Sequence, residues 1–353
     1  MKPFSKIFIL ASATALLGAG CISFSGSASG KALDGGMWRT VDRGENWMQK
    51  AIVPTPRGIT TMGGTNISTF AIDPEDRKAL YAGTEENGLY YSYDGGDGWD
   101  HAVGLTGARV NAVVVDFRDK CTIHVAMGAR ILRSTDCNRT WQGTYFESRR
   151  DQTVTALVMD PKNPIVLYAG ISNGDLIRSV DGGGSWATLK RFDNRVTKIA
   201  INKTNTTVVY VGTGDGGLFR SADAGITWND FNRAWQQQYG AKNIYGIQQL
   251  PEVADGWVVA SRYGLMRTTD GGAAWEQIQL LTQPGGVTIT TLAVDPKNGK
   301  NIYYTTAGTL YRTQDGGATW VTRKIPTTRV PRALMVDPED GNLLYLGVAA
   351  VKK

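Results

Sequence analysis

The sequence is poor in the residues that build the commonest catalytic and metal centres. Three cysteines in 353 residues are too few for a disulfide-built scaffold. Two histidines, His101 and His124, leave little material for a zinc cluster or a histidine-based triad. Beyond the first twenty residues no run is apolar enough to span a bilayer. Net charge is modest: 38 basic against 32 acidic residues give +6, of which Lys2 and Lys6 supply two. That excess does not mark a nucleic-acid binder, and no nucleic acid is expected as a partner. There is no phosphate-binding glycine loop, zinc signature or nucleophile elbow, so neither cofactor nor metal is expected. Glycine and tryptophan are plentiful instead, with 43 and 10 copies. Glycine thus exceeds its usual ~7% and points to many tight turns. A hydrophobic share of 42% and a charged share of 20% exclude a disordered chain, and the length is ample for a core.

The first twenty residues read as an export signal. Lys2 and Lys6 precede an apolar run, Ile7 to Leu17, that is too short to cross a membrane. The following Leu17-Gly18-Ala19-Gly20-Cys21 resembles the lipobox of bacterial lipoproteins, with Gly18 where the best boxes carry leucine. That resemblance implies lipidation of Cys21 and a chain held by lipid at a bacterial membrane. The place would be the outer face of the cytoplasmic membrane, or the periplasm and outer membrane; an ordinary cleaved signal is the alternative. A serine- and glycine-rich tether spans residues 21–36, leaving 37–353 as the folded domain.

That domain is one unit repeated. The pattern Ser/Thr-x-Asp-x-Gly-x-x-Trp carries Asp42 and Trp47, Asp94 and Trp99, Asp181 and Trp186, Asp223 and Trp228, Asp270 and Trp275, and Asp315 and Trp320. A seventh copy, Asp136 and Trp141, has Asn138 in place of glycine, a tolerable change where the backbone must be left-handed. Upstream of each copy lie an apolar strand, a turn such as Asp73-Pro74, a second β-rich strand and a third that runs into the motif. Four short strands per repeat make a propeller blade. The chain enters at the third and fourth strands of a blade and leaves with a first and second, Ala333–Val336 and Leu343–Leu346. Pairing these halves predicts an all-β, seven-bladed propeller closed by a composite blade, with no exposed sheet edge.

The motif matches the Asp-box, or BNR, repeat found in sialidases, xyloglucanases and the sortilin ectodomain. A single seven-bladed Asp-box propeller behind a lipoprotein signal most resembles the photosystem II stability/assembly factor family. The resemblance covers nearly all of the mature chain and is specific for fold, but almost silent on activity. It implies a non-catalytic assembly or binding module with an arginine-rich patch.

The residues themselves divide into scaffold and candidate site. The box aspartates read as acceptors for backbone N–H groups of their own turns, and the tryptophans as packing that also donates an indole N–H. An arginine just before six of the seven boxes suggests a blade-to-blade or backbone contact. Cys121 and Cys137 flank a hairpin in near-register and could form a disulfide in an oxidising compartment. The connections on the face opposite the boxes carry Arg57, Arg109, Arg149, Arg150, Arg195, Lys242, Arg329 and Arg332. Together they would form a basic rim suited to an acidic protein segment or membrane-protein client, with an anionic glycan as second choice. The competing reading is a glycoside hydrolase using Glu85, Asp175 or Asp215 beside the aromatic residues Trp235, Tyr239 and Tyr245.

Overall fold

A computed structural model describes residues 33–351. Cys21 and the export leader lie outside the described residues. Within them the chain forms seven four-stranded antiparallel sheets, an all-β seven-bladed propeller. Blades 1 to 6 follow in chain order over 67–101, 110–146, 154–191, 196–230, 244–278 and 291–324. In each, strands a to d run consecutively from the axis outwards. Blade 7 takes strands a and b from Val330–Val336 and Leu344–Ala349, and c and d from Gly36–Thr40 and Met48–Lys50. The seven a strands contact one another in a closed ring around the axis.

The periodicity of the sequence accounts for this layering. Strand b reads Leu80-Tyr81-Ala82-Gly83, Leu167-Tyr168-Ala169-Gly170 or Val209-Tyr210-Val211-Gly212 and is buried on both faces, hence uniformly apolar. Its glycine lets the next blade approach: a Cβ at Gly83, Gly170, Gly212 or Gly347 would strike Val110, Val196, Ile244 or Ile67. Strand a is bulged at its second residue in most blades, for instance between Val154 and Ala156 and between Val196 and Lys198. At that residue Ser68, Asn111, Thr155 and Thr197 donate to carbonyls of Val110, Val154, Val196 and Ile244, at 2.5–2.9 Å. Four of the seven inner joints are therefore strapped by a side chain the bulge has turned sideways.

The boxes make the outer joints. Each Ser/Thr hydroxyl donates to its Asp, for example Ser179 to Asp181 at 2.7 Å, and accepts the N–H of the box glycine. The second carboxylate oxygen accepts the hydroxyl of the residue immediately before the tryptophan, as Ser185 to Asp181 and Thr227 to Asp223, both at 2.6 Å. The two residues after the Asp are left-handed, including the non-glycines Arg43, Cys137, Asn138 and Ala224. The box glycine is needed for space as well: a Cβ at Gly96, Gly272 or Gly317 would collide with Met37, Phe231 or Ile278 of the preceding blade. The arginine on strand c then reaches the next blade's box carbonyl. Arg39 donates to Gly95 at 2.8 Å, Arg133 to Gly182 at 3.3 Å, Arg267 to Gly316 at 3.1 Å and Arg312 to Arg43 at 2.8 Å.

One outer joint departs from the rule. Blade 1 has Tyr91 where the others have arginine, and the box it meets is the one with Asn138, whose amide donates to Tyr93 at 3.3 Å. In that same box Cys137 is disulfide-bonded to Cys121. Closing a loop of this length restricts the unfolded chain, an effect on the order of 3 kcal/mol.

Three expectations need correction. The box tryptophans are not uniformly buried donors. Only Trp99 is fully enclosed, and only Trp99, Trp228 and Trp320 have indole acceptors, namely Lys50, Gly225 and Gln279. The rings of Trp47, Trp141, Trp186 and Trp275 are partly exposed, and their indole N–H groups, themselves shielded from solvent, have no acceptor among the described residues. An unforeseen hairpin, Ile52–Thr55 with Gly58–Thr61, follows blade 7 and folds back onto the box turn of blade 1, where Ile52 accepts the Trp99 N–H at 2.9 Å. Finally, residues 33–36 are not free tether: Asp34 accepts from Thr327 and Thr328, and the Gly35 N–H donates to Gly63 at 2.7 Å.

Trp99→Ala should therefore cost about 3–5 kcal/mol in urea unfolding, and Trp186→Ala clearly less, because the larger cavity opens where the ring is fully enclosed. The pH dependence should show two acid limbs. Burial, with Arg133 nearby, pushes His124 from 6.5 down to about 4. The unfolded chain takes up that proton first, so stability falls as pH descends from about 7 to 4. The hydroxyls of Thr140, Ser185 and Thr227, then backbone N–H groups, hold Asp136, Asp181 and Asp223 at about 2 against an ordinary 3.8. Their contribution is complete above the ordinary value and is lost as pH falls towards 2. Melting temperature measured against pH should lose only the upper limb in His124→Gln.

Candidate functional site

In a meander of four antiparallel strands, the b–c turns and d–a connections share one end and the boxes occupy the other. Most of the candidate residues therefore lie on the channel-mouth face, opposite the boxes. The enclosed carboxylates of this face are all bonded to arginine. Glu85 accepts Arg109 at 3.1 Å, and Glu147 accepts Arg149 at 2.5 Å. Asp175, 1% exposed at its side chain, accepts Arg149 at 2.6 Å and Arg191 at 2.5 Å. Burial alone would raise the Asp175 pKa, but the hydrogen bonds from Arg191 and Arg149 outweigh it and leave the group below its ordinary value. Hydrogen bonds from Arg149 hold Glu147 at about 2. All three carboxylates are occupied by arginine, and Glu147 and Asp175 are held ionised, the opposite of a proton-donating glycosidase acid. Asp215 stands exposed on its turn, as do Glu86, Asp151 and Asp193 on theirs.

The aromatic residues do not form a sugar platform either. Trp235 is buried against Trp275, with ring centroids 5.0 Å apart, and Tyr245 lines the channel. Tyr239 is exposed, with the Arg262 guanidinium 5.8 Å from its ring centre. A sequence order that brings three aromatics into one connection has sent them in three directions.

The basic rim divides in the same way. Arg109 and Arg149 are engaged with carboxylates, as above. Arg329 is 6% exposed and structural: it pairs with Asp34 and donates to Gly64 and to Asn66, the latter at 2.8 Å. It thereby staples strand a of blade 7 to the residues that enter and leave strands c and d. Arg57 sits on the extra hairpin beside the box turn of blade 1, away from the channel mouth. Arg150 is 94% exposed at its side chain, with only Asp151 at 3.6 Å. Arg195, Lys242 and Arg332 are exposed and, among the described residues, have no carboxylate partner. Burial and then the charge of Arg109 push the Arg195 pKa down.

Sequence reasoning missed Lys198, on strand a of blade 4. It lines a cavity of about 290 Å³ in the channel together with Arg332. Enclosure by the channel wall, then repulsion by Arg109, lowers its pKa. A signal was available: the equivalent residue in the other six blades is small, namely Thr69, Ala112, Ala156, Gly246, Thr291 and Ala333. Among the described residues no group of three or more His, Cys, Asp or Glu side chains could hold a metal ion.

Comparison with known proteins fits this geometry. The family described as "Photosynthesis system II assembly factor YCF48" matches residues 199–344. A solved YCF48 from Cyanidioschyzon merolae superposes with a TM-score of 0.62 at 16% identity, over 80% of this chain and 95% of that one. The chain is a BNR-type propeller resembling YCF48. A second solved structure, YCF48 bound to D1 peptide, gives a TM-score of 0.61 at 14% identity, covering 82% and 94%. Xyloglucanases share the propeller too. The GH74 xyloglucanase from Xanthomonas campestris gives a TM-score of 0.65 at 20% identity, over 88% of this chain and 52% of that one. A xyloglucanase from Paenibacillus sp is 26% identical over 157 residues, 38% of this chain but 15% of the enzyme. The chain thus spans only a part of the xyloglucanases it matches, whereas it is close in extent to the YCF48 propellers.

The engaged and free arginines should separate experimentally. Arg329→Ala removes the ion pair to Asp34 and the donors to the Gly64 carbonyl and Asn66 near the ring closure, and should lower unfolding free energy by about 2–4 kcal/mol. Arg195→Ala should stay within about 0.5 kcal/mol of wild type in the same urea titration.

Proposed function

We propose that this chain is an exported, non-catalytic binding module, lipid-anchored through Cys21 at a bacterial membrane, whose channel face takes an acidic segment of a membrane-protein client during assembly. The observation that carries the reading is the unequal state of charge on that face. The enclosed carboxylates are already neutralised by Arg109, Arg149, Arg191 and Arg329, while Arg150, Arg195, Lys242 and Arg332 remain exposed. These cations are fixed on a rigid ring and open to a partner, beside exposed acids at Glu86, Asp151, Asp193 and Asp215. The likeness to YCF48, one example of which is solved with a peptide, supports a protein ligand. The likeness to xyloglucanases supports a glycan, but Glu85 and Asp175 are not free to act on one.

The test is a crosslinked pull-down from native membranes with wild type and with Arg150→Glu/Arg195→Glu/Lys242→Glu. A protein client recovered by wild type, released by salt and reduced at least tenfold in the variant is the expected result. Recovery that is unchanged in the variant, or capture of an anionic polysaccharide in place of protein, would overturn it. Cys21→Ala should move the protein from the membrane to the soluble fraction.

A further inference from the structure

We infer that the central channel is a binding site for a small oxyanion, a phosphate or a compact polycarboxylate, held between Lys198 and Arg332. The site shares Arg332 with the exposed rim, but Lys198 belongs to the channel alone, and binding there does not depend on the proposed client.

The inner a strands converge on the axis, so the residue after each bulge faces six equivalents across a narrow space. Six of the seven are threonine, alanine or glycine, as that crowding demands. Lys198 is the exception, and it is not explained by packing: a lysine adds a charge where alanine closes the ring. Arg332 breaks a second rule. It occupies the bulged position of blade 7, between Pro331 and Ala333, where blades 1 to 4 carry a short hydroxyl or amide strap. The two departures line one and the same cavity of about 290 Å³.

Its other walls suit an anion. No carboxylate lines the cavity among the described residues, so neither cation has a counter-charge there. Tyr245 and Gln248 line it with polar groups for which no hydrogen-bond partner is found among the described residues. Asn111 and Thr291, by contrast, are bonded to Val154 and Thr305 and are part of the scaffold. Both cations are solvent-accessible in the channel and neither is paired there, so an oxyanion between them would pair both at once. The positive groups at the mouth, Arg109 and Arg195, would raise the local anion concentration and hasten entry. The volume admits phosphate or a molecule of citrate size and excludes a folded partner.

The intact protein is titrated with inorganic phosphate and with citrate by isothermal calorimetry in chloride buffer. One-to-one binding of either is expected, weakened at least tenfold by Lys198→Gln and by Arg332→Gln. Lys198→Arg, which keeps the charge, should retain binding, and so should Arg150→Glu/Lys242→Glu on the rim. A preference for phosphate or for citrate names the source of the anion. No saturable heat with either probe would overturn the proposal. So would equal affinity in Lys198→Gln/Arg332→Gln, or loss of binding in the rim variant alone. Melting curves in anion-free buffer check that each variant is folded. An added 10 mM phosphate should raise the melting temperature of wild type and of Lys198→Arg, but not that of the glutamine variants.

Discussion

Everything in this propeller depends on how one blade grips the next. A four-stranded sheet cannot bury both faces alone, so the fold exists only if neighbours dock at a fixed distance and tilt. The outer grip is the strand c arginine, whose guanidinium reaches a carbonyl in the next box, as Arg39 does to Gly95 and Arg312 to Arg43. The Asp carboxylate shapes the turn that presents this carbonyl by accepting its own hydroxyl and N–H groups, as Asp181 does from Ser179 and Ser185. The box glycine then removes the side chain that would hold the blades apart. Charge, turn and spacing act on a single contact, and that contact recurs around the ring.

The arginine-free joint between blades 1 and 2 shows how the constraint can be met differently. Tyr91 replaces the arginine, Asn138 replaces the glycine, and the box residue Cys137 is tied to Cys121. The covalent bond fixes the same box turn against the same a–b turn that a backbone hydrogen bond, Cys137 N–H to the Cys121 carbonyl, already joins. Equivalent backbone bonds, such as Gly95 to Lys78 and Gly182 to Ile165, make this join elsewhere without a disulfide.

Because the boxes consume one face, function is left to the other, and there the charges have two uses. Buried pairs such as Asp175 with Arg149 and Arg191 hold turns in place. Exposed cations such as Arg195 and Lys242 add a field that the scaffold does not need. The same residue type serves both purposes, and position along the connection does not reveal which. Arg329 and Arg332 are three residues apart, yet one is clamped among Asp34, Gly64 and Asn66 and the other lines the channel.

The repeat alone was enough to read blade number, strand order and composite closure, because each follows from local periodicity: period-two alternation, turn chemistry and the spacing of Asp and Trp. The strand c arginines were legible for the same reason, as a feature repeated with the blades. What the sequence could not separate was the state of any one polar side chain on the channel face. Glu85 and Asp175 read as free acids until Arg109, Arg149 and Arg191, distant in sequence, were seen to close on them. Trp235 read as a surface aromatic until it was found beneath Trp275. Lys198 went unnoticed because its meaning lies in six residues it meets only across the axis. Fold here is a property of each repeat, whereas a site is a property of which repeats face one another, and only ring closure decides that.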